Sequence, residues 1–333
     1  MASRNRSSTV RHHAEIPLGP EIDHEALRAL VRRRAGVVRT TELARVLGDR
    51  PAARRLPAAL PRLLPGVIFA AARSPTVRDR RLAALRYAGP GALLTGLTAL
   101  RLYGLRKLPA EWEVHVLVPA RRRRRSSSYA LLERTSRLPA HRWRDGLPCA
   151  PPARAVVDAT RRLRDPDVMR GLLVQVLDRE LCTVADLATE LRAAEGPGLA
   201  RPRLRFTEIR EERARETRAR LRTLLERARI PPPLWDPPLA GDPVAHWPDR
   251  KVVLVLDLSA WALSPSAALA IAVDAHRLRR CGNRVVAVTP DDLARRPAHV
   301  LSTIAGAVRP ASMRQAPPRR PSGPTGAWPA LPL

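Results

Sequence analysis

Two aspartates, Asp249 and Asp257, flank a run of β-branched and leucine residues in the stretch HWPDRKVVLVLDLSAWALSP, residues 246–265. Carboxylates that converge on Mg²⁺ can activate a water molecule and offset charge on a scissile phosphate, which is the chemistry of a metal-dependent nuclease. On a single strand, the eight-residue separation of the two aspartates at about 3.3 Å per residue would place them roughly 26 Å apart. They could not then share a metal ion.

A hairpin with its turn at PDRK solves this distance problem for a different pair of residues. Residues whose numbers sum to about 499 then face each other across an antiparallel ladder. Val244 is predicted to lie opposite Val255, and Asp242 opposite Asp257. Asp249 falls in the turn, where aspartate is a common residue. Only Asp242 and Asp257 could hold a metal, and two carboxylates without a base make a poor catalyst.

The chain carries a large surplus of positive charge, with 60 Lys and Arg residues against 31 Asp and Glu residues and a net charge of +29. Only Lys107 and Lys251 are lysines, and such an arginine-rich composition is typical of a GC-rich genome. Codon bias can replace lysine by arginine, but it does not explain the excess of bases over acids. The surplus favours a polyanionic partner, above all nucleic acid.

Composition also indicates the number of domains and the cellular compartment. At 333 residues, 45% of them hydrophobic, the chain can form two or three domains with sizeable cores. Cys149, Cys182 and Cys281 lie far apart without metal-ligand spacing, which predicts no disulfide or zinc site and fits a reducing cytoplasm. We find no apolar leader and no apolar run of about 18 residues, so we expect neither export nor membrane contact. Residues 1–20 are predicted to be a disordered basic tail and residues 311–333 a disordered proline-rich tail.

The sequence of residues 21–80 predicts two helices, a short basic helix and a wing strand, in that order. DHEALRALVRRRAG is amphipathic, with Asp23 as its N-cap. VVRTTELARVLG predicts a short extended segment followed by a helix capped by Thr40 or Thr41. RPAARRLPAALPRL predicts the basic helix, and LPGVIFAAA predicts a strand after a Pro-Gly turn. This is the order of a winged helix-turn-helix, in which the helix after the turn enters the major groove of DNA.

The winged-helix interpretation assigns DNA contacts to three groups of side chains. Pro57 and Pro61 interrupt helical hydrogen bonding, so the recognition helix is expected to be short or kinked near Leu56. The alternative is a three-helix protein-binding module with a solvated basic face. The predicted contacts are Thr40, Thr41 and Arg45 around the first helix of the motif, Arg50, Arg54, Arg55 and Arg62 on the recognition helix, and Arg73 and Arg78 in the wing region.

Residues 81–200 predict a second, α/β module. Two helices broken at AGPG precede the strand EWEVHVLVP, and SYALLER reads as the returning strand of a hairpin. The loop between these strands consists of Arg121, Arg122, Arg123, Arg124 and Arg125. Arginines at a hairpin tip can bind phosphates without reading sequence, and the alternative is a solvated connector. Asp158 and Asp178, on the amphipathic helices that follow, are expected to cap a helix or pair with arginines.

Five segments carry a resemblance to a known family, namely GVVRTTELARVLG, LLPGVIFA, RLAALRYAGPGALLTGLTALRLYGL, VHVLVPARRRR and PPARAVVDAT. In this order they resemble actinobacterial proteins of the AbiEi-type antitoxin architecture, over most of residues 25–195. The resemblance implies a winged helix followed by an α/β module, and DNA binding that represses the protein's own promoter. In true antitoxins of this family it also implies neutralisation of a nucleotidyltransferase toxin. Some members end in a very-short-patch-repair-like endonuclease domain.

Residues 201–310 are similar to that endonuclease domain, which belongs to the PD-(D/E)xK class. The predicted α-β-β-α-β-α order and the segments PPPLWDPPL, HWPD and VVAVTPDDL carry the likeness. When the family motif is set on this chain, its first aspartate falls at Val244 and its glutamate at Val255, whereas its second acid is kept as Asp257. The expected histidine is Ala262, and no lysine follows the strand. The resemblance therefore implies a nuclease fold that has lost its catalytic acids, and we predict no catalytic residue, metal or cofactor.

The sequence thus predicts an α+β multi-domain protein with an N-terminal winged helix-turn-helix, a middle α/β module and a C-terminal restriction-endonuclease-like α/β domain. We expect a cytoplasmic, sequence-specific regulator of the type IV antitoxin kind that binds double-stranded DNA, and the resemblance implies a nucleotidyltransferase-type toxin as a further partner. One alternative is a Mg²⁺-dependent DNA endonuclease that uses Asp242 and Asp257. Another is a toxin-binding antitoxin without a role on DNA.

Overall fold

The computed structural model is a mixed α/β structure, with three β-sheets among the residues that it describes. It describes residues 23–48, 52–110, 112–239, 241 and 243–309. The predicted tails 1–20 and 311–333, together with Arg50 and Asp242, lie outside this range, and the side chain of Arg54 is not described either. Contacts divide the chain into two compact units, one that ends at Thr207 and one that begins at Glu208. None of the helices within the described ranges has the length and apolar character needed to span a bilayer.

The N-terminal part of the first unit combines three helices with a three-stranded antiparallel sheet of order β1-β3-β2. The Asp23 carboxylate accepts a hydrogen bond from the Ala26 N–H at 2.8 Å, which confirms its predicted role as N-cap. The core consists of Leu30, Val38, Leu43, Leu47 and Ile68. The elements are α1 (His24–Arg33), β1 (Val37–Arg39), α2 (Thr40–Leu47), α3 (Ala52–Ala59), β2 (Arg62–Leu64) and β3 (Val67–Phe69).

Two details of this region differ from the sequence prediction. The predicted threonine cap of α2 is wrong, because the N-cap is Arg39, which stays extended to pair with Val67 of β3. The Glu42 carboxylate accepts the Arg39 N–H instead, at 3.2 Å. Arg62 lies on β2 instead of the recognition helix. The short α3 ends at Ala59, in keeping with the steric exclusion of helical backbone before a proline.

The rest of the first unit packs helices around a five-stranded sheet of order β6-β5-β4-β8-β7. Strands β5 and β6 are parallel, with Val114 paired to Ala130 and Pro119 to Thr135, so the predicted hairpin is wrong. The arginine run therefore belongs to a connection that carries the chain back to the start of the neighbouring strand. The elements are α4 (Val77–Ala88), β4 (Leu93–Leu94), α5 (Gly96–Leu102), β5 (Val114–Pro119), β6 (Ala130–Thr135), β7 (Arg142–Arg144), β8 (Leu147–Cys149), α6 (Pro152–Thr160), α7 (Pro166–Asp178), α8 (Val184–Ala193) and the first part of α9 (Ala200–Arg227).

The second unit contains a four-stranded sheet of order β12-β11-β10-β9, in which only β11 and β12 run parallel. The predicted α-β-β-α-β-α order is present, with one additional short strand, β9. The single helix expected at the end is two helices, because the chain breaks at Arg296 before Pro297. After α9 the elements are β9 (Leu234–Trp235), β10 (Ala245–Trp247), β11 (Val252–Leu256), α10 (Pro265–Arg280), β12 (Arg284–Val288), α11 (Pro290–Arg295) and α12 (Pro297–Val308).

Candidate nucleic-acid interface

A cleft of about 300 Å³ lies in the first unit where four segments meet. These segments are the start of α2, the turn between β2 and β3, the end of α4 and the arginine-rich connection between β5 and β6. We call it the basic cleft. Its polar side chains are Arg39, Thr40, Thr41, Arg86, Tyr87, Arg122, Arg123 and Arg124.

The Glu42 carboxylate forms ion pairs with two arginines at or beside the basic cleft, Arg34 and Arg86. It pairs with the Arg34 guanidinium at 2.5 Å and with that of Arg86 at 3.7 Å. The Arg39 guanidinium donates from Nε to the Arg86 carbonyl oxygen at 2.8 Å, and Arg86 donates to the Arg34 carbonyl oxygen at 3.2 Å. These bonds join the ends of α1 and α4 to the start of α2, so the arginines at the floor are held in place.

The connection between β5 and β6 is held through its backbone. Arg134 on β6 donates from Nε to the Arg122 carbonyl oxygen at 2.7 Å and from Nη2 to those of Arg123 and Arg124 at 3.4 and 3.2 Å. The Tyr87 hydroxyl donates to the Arg125 carbonyl oxygen at 2.9 Å. The carbonyl groups carry these anchoring bonds, and Arg123, Arg124 and Arg125 are exposed residues, with the Arg124 guanidinium 4.7 Å from the centre of the Tyr87 ring.

The electrostatics of the basic cleft favour an anion. Burial, followed by the like charge of Arg34, lowers the pKa of Arg86 to about 10. Burial also lowers the pKa of Arg39, as do the charges of Arg124, Arg34 and Arg122, while Glu42 opposes the shift. Cations that depress one another's pKa values gain free energy when an anion binds among them. The cleft can therefore hold a phosphate or carboxylate group.

The structure brings together two groups of residues that the sequence predicted separately. Thr40 and Thr41 from the first helix of the motif line the same cleft as Arg122, Arg123 and Arg124. Arg39 and Arg86 were missed because a half-buried arginine in a strand or an amphipathic helix resembles any solvated base. The remaining predicted residues with described side chains, Arg45, Arg55 and Arg62, are exposed on α2, α3 and β2, and Arg121 and Arg125 are exposed beside the cleft.

Arg73 and Arg78 are engaged in contacts within the first unit. Arg73 Nη2 donates to Asp79 Oδ1 at 3.0 Å, and its guanidinium lies 5.1 Å from the centre of the Phe69 ring. This hydrogen bond from Arg73 holds the pKa of the Asp79 carboxyl well below its usual range. Arg78 lies on α4 instead of the wing, and its Nη2 donates to the Asp145 carbonyl oxygen at 3.0 Å.

In the second unit, the predicted register of the β10–β11 hairpin is confirmed. Ala245 pairs with Leu254, His246 with Val253 and Trp247 with Val252, so each pair of residue numbers adds to the predicted sum. Asp249 is exposed in the turn Pro248–Arg250, as predicted.

The predicted convergence of Val244 and Val255 does not occur. The ladder ends at the Ala245–Leu254 pair, and the two valines lie in different apolar clusters on opposite faces of β11. Both are buried, as is Ala262. Asp257 accepts a hydrogen bond from the Ser259 N–H at 2.9 Å and so stabilises the turn after β11. Among the described residues no group of three or more His, Cys, Asp or Glu side chains could hold a metal ion.

Comparison with protein-family models gives no match, and comparison with curated proteins gives none either. Among solved structures the chain is similar to the crystal structure of the RV2827C protein from Mycobacterium tuberculosis. The two chains share 17% identity with a TM-score of 0.41, over 55% of this chain and 75% of the other.

Proposed function

We propose that the protein is a cytoplasmic, sequence-specific regulator of the AbiEi antitoxin type that binds double-stranded DNA and represses its own promoter. The observation that carries the proposal is the convergence of the start of α2 and the arginine-rich connection on one basic cleft. The net charge of +29 supports a polyanionic partner.

The order of elements supports a winged helix in the N-terminal part. Helices α1, α2 and α3 are followed by the β2–β3 hairpin, and β1 completes the small sheet, which is the arrangement of a winged helix-turn-helix. Helix α3 comes after α2 in the chain, and we assign it the role of the recognition helix. Arg55 is exposed on it and can contact base edges.

The exposed guanidinium groups beside the basic cleft are suited to phosphate contacts. Arg123, Arg124 and Arg125 extend from a backbone that Arg134 and Tyr87 hold in place, so less conformational entropy is lost on binding than for a free loop. Phosphate contacts give affinity without sequence preference, and they make binding depend steeply on salt.

The first experiment removes two of these charges and compares the loss with a matched pair elsewhere. Arg123→Ala/Arg124→Ala is expected to weaken binding to the gene's own upstream DNA about tenfold and to lower the slope of log affinity against log salt by roughly 2. Fluorescence anisotropy across a salt series measures both quantities.

The control is Arg106→Ala/Lys107→Ala, which removes the same charge from two exposed residues outside the cleft. It is expected to change affinity less than twofold. Equal losses of DNA affinity in the two variants, or salt-independent binding of the wild type, would contradict the proposal.

Recognition of the DNA sequence by α3 is tested separately. Arg55→Ala is expected to cost about 1–3 kcal/mol of preference for the upstream DNA over an unrelated duplex, while non-specific binding changes little. An unchanged preference would remove Arg55 from the recognition surface.

We propose in addition that the second unit is a nuclease-like fold without nuclease activity. The buried valines at positions 244 and 255 and the local hydrogen bond of Asp257 support this assignment. Incubation of plasmid DNA with Mg²⁺ or Mn²⁺ tests it. Cleavage that is lost in Asp257→Ala would establish the endonuclease alternative.

Toxin binding is a second candidate function, favoured by two exposed tryptophans in the first unit. Trp112 is 81% exposed and Trp143 is 60% exposed. Tryptophan is enriched at the centres of protein interfaces, where its large surface is buried by the partner. Co-purification of a nucleotidyltransferase encoded beside the gene, reduced in Trp112→Ala, is the expected result. The absence of such a partner would limit the protein to regulation.

A further inference from the structure

The basic cleft has a recessed part and an exposed rim, and the two differ in what they can bind. Arg39, Arg86 and Arg122 are partly buried, whereas Arg123 and Arg124 at the rim are exposed. The volume of about 300 Å³ lies at the lower end of the range of sites that bind small molecules. We call the recessed part, lined by Arg39, Thr40, Thr41, Gly89 and Arg122, the inner cleft.

Two guanidinium groups of the inner cleft converge beside Gly89. The position that a Cβ atom would take at residue 89 lies 3.8 Å from Arg39 Nη2 and 3.8 Å from the guanidinium carbon of Arg122. Gly89 has a φ of +96°, a backbone conformation that favours glycine, and it leaves this position empty. An anion placed there would therefore lie between two cations.

Both guanidinium groups retain donors for a ligand. Arg39 donates from Nε and Nη2 to the Arg86 carbonyl oxygen, and Arg122 donates from Nη2 to the Pro90 carbonyl oxygen at 2.9 Å. These bonds occupy carbonyl groups at the end of α4, whose partial negative charge would otherwise repel an anion. Within the described ranges, Nη1 of Arg39 and Nη1 of Arg122 have no acceptor, and Arg122 Nη1 lies 3.9 Å from the empty position beside Gly89. Each can donate to a phosphate oxygen.

The charge around the inner cleft suits a ligand with two negative charges. No Asp or Glu of the described residues lines the basic cleft. The nearby Glu42 already pairs with Arg34 and Arg86, and neither Arg39 nor Arg122 forms an ion pair with a described residue. A phosphate monoester carries about −1.5 to −2 charges at neutral pH, whereas each phosphate of a DNA backbone is a diester with one charge. The monoester is therefore the better match for two unpaired guanidinium groups.

The start of α2 adds neutral donors to the inner cleft. Thr40 and Thr41 line it at the N-terminal end of the helix, where the helix dipole favours an anion. The Thr40 N–H donates to the Gly66 carbonyl oxygen at 3.0 Å, so the donor that Thr40 offers to a ligand is its hydroxyl group.

We propose that the inner cleft binds the phosphate monoester group of a small organic molecule, and that this ligand competes with DNA for the basic cleft. The bound monoester neutralises arginines that otherwise attract the DNA backbone. The competition rests on the proposed function, because it requires that DNA binds at the rim. The phosphate group is common to both ligands, and the number of its ester bonds distinguishes them.

Calorimetric titration of the full chain with methyl phosphate and with dimethyl phosphate, at constant ionic strength, tests the site without DNA. Dimethyl phosphate stands for the diester of a DNA backbone. We expect saturable binding of methyl phosphate at one site per chain and binding of dimethyl phosphate that is weaker by about tenfold or more, because the diester carries one charge fewer. Equal affinities for the two probes, or no saturable binding of methyl phosphate, would overturn the proposal.

Two variants and a control separate the inner cleft from general attraction to a basic protein. Arg122→Gln removes one of the two converging cations and is expected to weaken methyl phosphate binding about fivefold or more. Thr41→Trp fills the cleft from an exposed residue without changing charge and is expected to abolish binding. Arg106→Gln removes the same charge from an exposed residue outside the cleft and is expected to change binding less than twofold. A loss in Arg122→Gln no larger than in Arg106→Gln, or unchanged binding in Thr41→Trp, would overturn the site.

Competition is measured by fluorescence anisotropy of bound DNA as methyl phosphate is added at constant ionic strength. We expect DNA affinity to fall about fivefold or more when methyl phosphate saturates the wild type, a typical coupling between two ligands. Arg122→Gln is expected to need correspondingly more methyl phosphate for the same loss. Saturating methyl phosphate that leaves DNA affinity unchanged would overturn the competition. If the chain binds no DNA, the proposed function fails while the calorimetry still decides the site.

Discussion

The basic cleft of the first unit holds partly buried charged side chains, whereas the β10–β11 hairpin of the second unit holds buried apolar ones. In the cleft, Arg39 and Arg86 are half-buried; the Arg86 guanidinium pairs with Glu42, and the Arg39 guanidinium donates to the Arg86 carbonyl oxygen. In the hairpin, Val244 and Val255 are buried among apolar side chains. Charged groups persist in a partly buried site only where partners compensate their desolvation. The cleft meets that condition, whereas the two hairpin positions hold uncharged side chains that pack in apolar clusters.

The largest test of this contrast compares the buried Asp158 of the first unit with the partly buried Asp257 of the second. Asp158→Ala removes the carboxylate that accepts from Arg154 Nε at 2.9 Å and leaves this buried guanidinium with Glu190, 3.6 Å away, so it is expected to cost about 3–5 kcal/mol of stability. Asp257→Ala removes one hydrogen bond at a turn and is expected to cost about 1 kcal/mol. Urea unfolding of the full chain, followed by circular dichroism, measures both losses. Asp158→Asn, which keeps the shape, serves as the control, and equal losses at positions 158 and 257 would contradict the contrast.

Restoring an acid in the second unit is the next test. Val255→Glu places a carboxylate among Val253 and Leu278 and is expected to cost about 2–3 kcal/mol, because no described group there can bind it. Val273→Glu, at an exposed apolar residue of α10, is the matched control and is expected to be nearly neutral. Differential scanning calorimetry with and without Mg²⁺ provides the measurement. Stabilisation of Val255→Glu by Mg²⁺ would show that a metal site survives.

The smallest expected effect is a pH dependence of the free energy of unfolding that arises from carboxyl groups of the first unit. Burial raises the pKa of Glu133, but the hydrogen bond from His115 and the charges of His115, Arg161 and Arg154 outweigh it, so the pKa is lowered. A carboxyl whose pKa is lower in the folded state stabilises the protein above its unfolded pKa, near 4.5, and this stabilisation is lost as the pH falls. Burial raises the pKa of Asp158, which has the opposite sign and offsets part of the effect.

Glu133→Gln is therefore expected to flatten the fall of stability below pH 4.5. Urea unfolding between neutral and acid pH, compared with the wild type, measures the slope. If the variant loses as much stability at acid pH as the wild type, the pH dependence arises from other carboxyl groups. Asp79 is then the first candidate, because Arg73 and Thr76 lower its pKa.

Local signals in the sequence were enough to place several elements of both units. Asp23 caps α1, α3 ends two residues before Pro61, and the turn at PDRK sets the register of β10 against β11. Each of these features depends on groups only a few residues apart, whose hydrogen bonding and backbone limits are fixed by residue type. The same local logic placed Asp249 in a turn and so argued against a catalytic role for it.

What only the tertiary structure decided was which distant segments meet. An apolar strand pattern is compatible with parallel and antiparallel pairing, and the sequence therefore could not show that β6 runs parallel to β5. That single choice moves the arginine run from a hairpin tip to the side of α2 and α4, where Arg39 and Arg86 complete the basic cleft. It also allows Arg134 on β6 to hold the carbonyl oxygens of the connection. The sequence by itself shows how many arginines the chain carries and where they stand. Which of them lie close together depends on contacts between residues far apart in the chain.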